Sequence, residues 1–173
     1  MVNYTTHTNT LNANRAYGKQ QECLIIEQLK NLIPCDDIKQ SKERYSKYDA
    51  LGMKSKILYE IKALQYGRKK YPTCVFNCDK QIVGVNQVFV FQFEETGRKD
   101  LYYICFDKNK FNTYNQRDIP CNSRNTINWC WDIPFEDLTL IDFNKTYDMK
   151  NEMLTDYGVN SIFTAECIIQ GLE

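Results

Sequence analysis

Apolar residues recur at helical spacing near the N-terminus, in the stretch before Pro34. They fall on one side of a helix with a 3.6-residue period: Ile25, Ile26, Leu29, Leu32 and Ile33. The pattern predicts a helix from about Ala16 to Ile33. Residues 1–15 are polar and lack a helix-capping signal, so we expect a flexible N-terminal segment there.

Apolar runs further along the chain predict strands. Four of them are expected, at residues 43–52, 56–64, 87–93 and 101–106. The crossover between the second and third strands is expected to hold a short helix from Asp79 to Val85, and a short early strand is compatible with the residues around Ile38. The order α, β, β, α, β, β predicts an α/β or α+β fold with a mixed central sheet flanked by helices.

The pattern weakens after about residue 107, and we assign the remainder to a C-terminal extension of a single domain over residues 16–173. The segment "SIFTAECIIQGL" predicts a helix capped by Ser161. The segment "TINWCWDI" predicts another strand, whose alternate residues would share one face in the core: Ile127, Trp129, Trp131 and Ile133. Two tryptophans at this spacing favour core packing over base stacking.

The composition bears on the cellular compartment and on the partners that we expect. Basic and acidic residues balance at 22 each, so the whole chain offers no electrostatic case for nucleic acid. The start of the chain lacks the apolar core of a signal peptide, and no apolar run is long enough to cross a membrane. We therefore expect a soluble intracellular protein, of the cytoplasm or nucleus, that has no membrane partner and keeps its eight cysteines as thiols. Cys23 and Cys105 lie in apolar runs and are expected to be core residues.

Several chemistries are excluded by what the chain lacks. The single histidine, His7, falls in the polar N-terminal segment, which argues against histidine-based catalysis and histidine metal sites. The scattered glycines form no phosphate-binding loop, and the cysteines do not have zinc-ligand spacing. Carboxylates, lysines and a hard metal ion remain.

The strand at residues 56–64 carries charge within an apolar run. Residues two apart on a strand share a face, so Glu60 and Lys62 point the same way. Asp49 lies near the end of the preceding strand and can converge on Glu60 if the two strands pair. Two adjacent carboxylates stay ionised readily only beside a cation, and oxygen ligands suit Mg²⁺, with Mn²⁺ as a substitute. An acid-x-Lys triplet also occurs at residues 37–39 and 148–150, but neither copy lies in an apolar strand.

The segments "YDALG" and "YEIKA" resemble the PD-(D/E)xK nuclease superfamily. Its members carry an aspartate on one strand and Glu/Asp-x-Lys on the next, after an N-terminal helix. The resemblance covers about residues 16–106, although Tyr48 stands where the motif name has proline. It implies a restriction-endonuclease-like core and a metal-dependent DNA endonuclease.

The resemblance also implies residue roles. Asp49 and Glu60 would bind Mg²⁺, with the carbonyl of Ile61 as a further ligand, and Lys62 would position or activate the attacking water. Many such nucleases add a glutamate from the first helix. Glu22 shares the apolar face of the predicted helix and is the candidate, although a helix-start carboxylate favoured by the helix dipole fits the sequence equally well.

Other candidates are less specific. Gln81, on the predicted second helix, is a weaker catalytic candidate. Arg68, Lys69 and Lys70 follow the motif strand and Lys80 lies further on, so they could hold phosphates or form a solvated basic surface. Cutting both DNA strands would call for a homodimer. Two other function classes remain open: a non-catalytic nucleic-acid-binding domain on the same fold, and a structural or partner-binding protein whose Glu60 and Lys62 merely pair across a sheet.

Overall fold

The computed structural model describes residues 4–43, 46–121 and 126–150, without the side chains of residues 4–12 and 121. The helix predicted after Ser161 lies outside this part of the chain. The described residues form two helices, α1 (Tyr4–Leu32) and α2 (Lys108–Phe111). The strands are β1 (Ile38–Gln40), β2 (Ala50–Gly52), β3 (Leu58–Leu64), β4 (Thr73–Asn77), β5 (Gln87–Glu95), β6 (Arg98–Cys105), β7 (Asn115–Cys121), β8 (Thr126–Pro134) and β9 (Thr139–Leu140).

Two sheets organise the molecule. The larger sheet has the order β1-β2-β3-β5-β6-β9, in which β3 and β5 are parallel and the other neighbours are antiparallel. The smaller sheet is antiparallel, with the order β4-β8-β7. Apolar residues of α1 cover one face of the large sheet, and side chains of β4 and β8 cover the other. The predicted α+β fold with a mixed sheet is confirmed.

Helices were expected to flank the large sheet, but in the described part of the chain only one face is covered by a helix. Within the described residues α1 alone packs as a long helix, and an aromatic core joins the second face to the small sheet. In that core the rings of Phe76 and Phe89 are stacked with their centroids 4.2 Å apart. The three layers are therefore helix, mixed sheet and antiparallel sheet.

Helix α1 begins at Tyr4, well before the predicted start near Ala16. Its apolar second half packs on the sheet as expected, while polar contacts hold the middle of the helix. The Tyr17 hydroxyl donates a hydrogen bond to Glu94, and Lys99 donates one to Gln21 at 2.8 Å. Residues 4–15 are thus helical and not the irregular end that their polar composition suggested.

The predicted strands at residues 56–64, 87–93 and 101–106 are confirmed as β3, β5 and β6, and the early strand around Ile38 as β1. The strand predicted at residues 43–52 is shorter in the structure and consists of β2 alone. The sequence pattern did not predict β4, β7 or β9.

The helix predicted from Asp79 to Val85 was wrong. Only a 3-10 turn over Cys78–Lys80 forms, followed by an extended chain and Gly84 at φ 83°. That left-handed conformation interrupts a right-handed helix. The crossover between β3 and β5 therefore consists of β4 and turns.

Strand β8 is confirmed, but its apolar face is only partly core. Trp131 and Ile133 are buried, whereas Trp129 is 56% exposed and Ile127 is 67% exposed. The exposed end of β8 lies beyond its pairing with β4, which covers Cys130–Pro134 only. The expectation that both tryptophans are core residues is correct for Trp131 alone.

The cysteines also divide by position. Cys105 is buried as expected, while Cys23 lies on the exposed side of α1 and is not a core residue. The cysteines whose side chains are described form no disulfide: Cys23, Cys35, Cys74, Cys78, Cys105 and Cys130. In the described residues no helix is long and apolar enough to cross a membrane.

The two tryptophans provide a test of the layer arrangement. We expect Trp131→Ala to lower the free energy of unfolding by about 3–5 kcal/mol, since it empties a site beside Phe111 in the aromatic core. Trp129→Ala should lower it by about 1 kcal/mol or less, because that side chain is mainly exposed. Urea unfolding followed by circular dichroism measures both values. Equal losses would contradict the arrangement.

Candidate functional site

Strand β3 lies in the interior of the large sheet, between β2 and β5. Its side chains alternate as predicted: Tyr59 packs in the core beneath α1, and Leu64 packs in the aromatic core. Glu60 shares the face of Leu64 and is only 7% exposed. The charge within the apolar run is therefore not an exposed cross-strand pair, and the protein carries a buried carboxylate.

Asp49 lies opposite Glu60 by the register of the hairpin. Ala50 pairs with Tyr59, and the Asp49 N–H donates a 2.8 Å hydrogen bond to the Tyr59 carbonyl, which continues the ladder by one residue. The Asp49 carboxylate also accepts a hydrogen bond from the Ile61 N–H at 2.7 Å. Burial raises the pKa of the Asp49 carboxyl, against the lowering effect of that N–H.

The register itself depends on the turn between β2 and β3. Asp36 is 7% exposed, and its carboxylate accepts hydrogen bonds from the N–H groups of Lys54 and Ser55 at 3.0 and 3.1 Å. Gly52 passes so close to Asp36 that a Cβ there would lie 1.8 Å from a carboxylate oxygen. This tight turn fixes the alignment that brings Asp49 to Glu60.

Glu60 has one oxygen paired and one without a partner. Its Oε1 forms an ion pair with Lys80 Nζ at 2.7 Å, and the same ammonium donates to the Ser46 carbonyl at 3.3 Å. Its Oε2 is buried and accepts no hydrogen bond from an N–H or O–H group, and the Glu60 and Asp49 carboxyls lie close enough to share a proton. Burial, followed by the charge of Asp49, raises the pKa of the Glu60 carboxyl to about 8, and Lys80 opposes the shift.

The backbone of Ile61 faces the same edge of β3 as Asp49. The carbonyls of Ile57 and Tyr59 point toward β2, and the Ile61 N–H does so as well. In a strand the N–H and C=O of one residue lie on the same side, so the Ile61 carbonyl also points toward this edge. The β2–β3 ladder pairs end at Tyr59, which leaves the edge beside Ile61 open toward Asp49.

Lys62 lies on the predicted face, but its ammonium points elsewhere. It donates a hydrogen bond to the Val75 carbonyl on β4, and the cation at Glu60 is Lys80. Sequence reasoning missed the ion pair between Lys80 and Glu60. No spacing signal reveals it, because it depends on the path of the crossover between β3 and β5.

Glu22 comes close enough for its charge to raise the pKa of both Asp49 and Glu60. Its Oε1 accepts a hydrogen bond from Gln40 at 2.9 Å. Because α1 begins at Tyr4, Glu22 lies in mid-helix, and the explanation by the helix dipole was wrong. Glu27 is exposed and pairs with Lys30.

Gln81 is not on a helix, since it directly follows the 3-10 turn, and its N–H donates to the Cys78 carbonyl. Lys69 and Lys70 are exposed on another 3-10 turn, Arg68–Lys70. Arg68 packs inward instead, with its guanidinium 4.9 Å from the centre of the Tyr102 ring and a 3.1 Å hydrogen bond to the Phe135 carbonyl.

The donor set fits a hard cation. In the described ranges no three His, Cys, Asp or Glu side chains are grouped as metal ligands. Mg²⁺ commonly takes one or two carboxylates and keeps several waters, so Asp49, Glu60 and the Ile61 carbonyl are a sufficient set. The buried Glu60 Oε2, which accepts no hydrogen bond from an N–H or O–H group, is the observation that favours a ligand there.

No protein-family model matches the chain. Comparison with curated proteins and with solved structures likewise found no match. Functional conclusions therefore depend on the geometry of the described residues.

The buried carboxylate predicts a distinctive pH dependence. The folded protein holds the Glu60 proton up to about pH 8, whereas the unfolded chain releases it near the ordinary value of 4.5. The folded state thus binds more protons between these values, and its free energy of unfolding should fall as pH rises, by up to about 1.4 kcal/mol per pH unit from this group. Urea unfolding without metal, measured from pH 5 to pH 8, should show that the free energy of unfolding of Glu60→Gln depends less on pH than that of the parent.

Glu27→Gln is the matched control, because Glu27 is an exposed carboxylate on α1. It should leave the pH dependence of the parent unchanged. Equal slopes for the parent and Glu60→Gln would show that Glu60 ionises in the folded protein as it does in the unfolded chain.

Proposed function

We propose that this protein is a metal-dependent DNA endonuclease with a restriction-endonuclease-like core of the PD-(D/E)xK type. The observation that carries the proposal is the buried Glu60, which lies opposite Asp49 and has one carboxylate oxygen that accepts no hydrogen bond from an N–H or O–H group. A buried oxygen beside a second carboxylate is stabilised by a proton shared between the two groups or by a divalent cation, and the proposal takes the divalent cation as its ligand.

The residues at the edge of β3 have distinct roles in the proposal. Asp49 and Glu60 would hold Mg²⁺, or Mn²⁺ in its place, with the Ile61 carbonyl. Bound there, the cation would polarise a phosphate oxygen and lower the pKa of a water. Glu22 adds negative charge to this cluster from α1. Gln81 follows Lys80 directly and keeps its place as a weaker catalytic candidate.

Lys62 would act on the substrate and not on the metal. In the described residues it forms no ion pair, and its ammonium donates to the neutral Val75 carbonyl. An ammonium held by a neutral acceptor can turn toward a phosphate at little electrostatic cost. There it would stabilise charge that develops in the transition state, or orient the attacking water.

Contacts with the DNA backbone would come from Lys69 and Lys70, which are exposed. Lys80 remains a candidate once it is free of Glu60. Arg68 contributes less to this proposal, because its guanidinium is packed against aromatic rings. Cutting both strands would require a second site, and hence a homodimer.

A second candidate is a non-catalytic nucleic-acid-binding domain on the same fold. The ion pair between Lys80 and Glu60 favours it, since this ammonium already neutralises one carboxylate oxygen without a metal. In that case Asp49 and Glu60 would be structural, and binding would not depend on a divalent cation.

The proposal predicts Mg²⁺-dependent cleavage of DNA. Asp49→Asn and Glu60→Gln should lose both metal binding and cleavage. Lys62→Ala should keep DNA binding but lose about a hundredfold or more of the cleavage rate, if Lys62 supplies a typical electrostatic term. The assay uses supercoiled plasmid, branched DNA and RNA with Mg²⁺, Mn²⁺ or chelator, beside a binding measurement for each variant.

The chain offers a matched control in the triplet Asp37-Ile38-Lys39. Asp37 and Lys39 have the same spacing but are exposed, and they form an ordinary ion pair at 3.4 Å. Asp37→Asn and Lys39→Ala should cleave at the parent's rate. Cleavage by Lys62→Ala at the parent's rate would contradict the mechanism, and binding without cleavage on every substrate would favour the non-catalytic domain.

A further inference from the structure

The backbone of Lys80 is held by hydrogen bonds, while its side chain is partly exposed. Gln87, which is 1% exposed, donates a 3.0 Å hydrogen bond to the Lys80 carbonyl and accepts a 2.8 Å hydrogen bond from the Ile82 N–H. This buried amide anchors the chain on both sides of Gln81. The Lys80 side chain itself is 30% exposed, so part of it already reaches solvent.

One ammonium does not balance the charge around it. Lys80 faces Glu60 directly, and the charges of Asp49 and Glu22 act on the same carboxylate. Its second contact is the neutral carbonyl of Ser46. Glu60 Oε2 is buried and accepts no hydrogen bond from an N–H or O–H group, although Oε1 is paired with Lys80. The negative charge of the three carboxylates exceeds the charge of one ammonium, and Glu60 Oε2 is available as a ligand atom. A divalent cation could therefore replace the ammonium.

We propose that Lys80 is an exchangeable internal counter-ion, whose ammonium occupies the cation position at Glu60 in the metal-free protein and leaves when a divalent cation enters. The inference rests on the proposed function, because it takes Asp49 and Glu60 as the metal ligands. It adds a control on metal entry. A divalent cation beside Glu60 would repel an ammonium 2.7 Å from the same carboxylate, so the two cations compete.

Competition has two consequences for a protein that lacks the ammonium. Without metal, Lys80→Met should be less stable than the parent, because a buried carboxylate has lost its charged partner. With metal, the same variant should bind more tightly, because no resident cation has to leave. Lys39→Met is the matched control, since Lys39 also pairs with a carboxylate, Asp37 at 3.4 Å, but both side chains are exposed.

Titration calorimetry with MgCl₂ at pH 8.5 tests the exchange in the full chain, together with thermal unfolding with and without Mg²⁺. Lys80→Met should bind Mg²⁺ about tenfold or more tightly than the parent, and Lys39→Met should differ from the parent by less than about threefold. The metal-free Tm of Lys80→Met should be lower than that of the parent, and its rise on adding Mg²⁺ should be larger.

The possible failures are distinguishable. If the parent binds Mg²⁺ and Lys80→Met binds it equally or more weakly, the exchange is overturned and the metal site of the proposed function stands. If neither protein binds Mg²⁺, both the exchange and the proposed metal site are overturned.

A second measurement tests the exchange in the parent protein, in which the Lys80 ammonium is present. Lysine side-chain NMR signals of the parent, assigned with Lys80→Arg, should show the Lys80 ammonium protected from solvent without metal. Saturating Mg²⁺ should move this signal to solvent-exposed values. A signal that stays unchanged while Mg²⁺ binds would overturn the exchange, even if Lys80→Met fails to fold.

Discussion

A buried carboxylate on the central strand is the constraint on which the candidate site depends. Glu60 lies between the mixed sheet and the small sheet, where an unpaired charge costs several kcal/mol. Asp49 lies opposite it and adds a second negative charge. Such a pair persists in a folded protein only with a proton, an ammonium or a metal ion nearby. Each of these three states gives the site a different chemistry.

The architecture supplies what this constraint requires. The turn around Asp36 sets the register that brings Asp49 to Glu60, and the early end of the β2–β3 ladder exposes the edge beside the Ile61 carbonyl. The crossover from β3 to β5 passes over the face of β3 that carries Glu60 and places the Lys80 ammonium beside it. The small sheet provides the neutral acceptor of the Lys62 ammonium, which is the Val75 carbonyl. The ammonium groups of Lys62 and Lys80 therefore lie over the same face of β3 but have different partners.

The local pattern of the sequence predicted β3 and the shared face of Glu60 and Lys62, because alternation along a strand is a property of neighbouring residues. It also predicted that Asp49 could meet Glu60, since both belong to one hairpin. The contact of Lys80 could not be predicted, because it depends on β4 pairing with β8, more than fifty residues later in the chain. The exposure of Trp129 depends likewise on where β4 stops pairing with β8.

A crystal structure grown with Mn²⁺ and analysed by anomalous scattering tests the central claim most directly. The account predicts a single strong anomalous peak about 2.0–2.6 Å from carboxylate oxygens of both Asp49 and Glu60, as expected for oxygen ligands of a hard divalent cation. It also predicts that the Lys80 ammonium has left Glu60. A structure at millimolar Mn²⁺ with no peak between the two carboxylates, and with Lys80 still paired to Glu60, would contradict it.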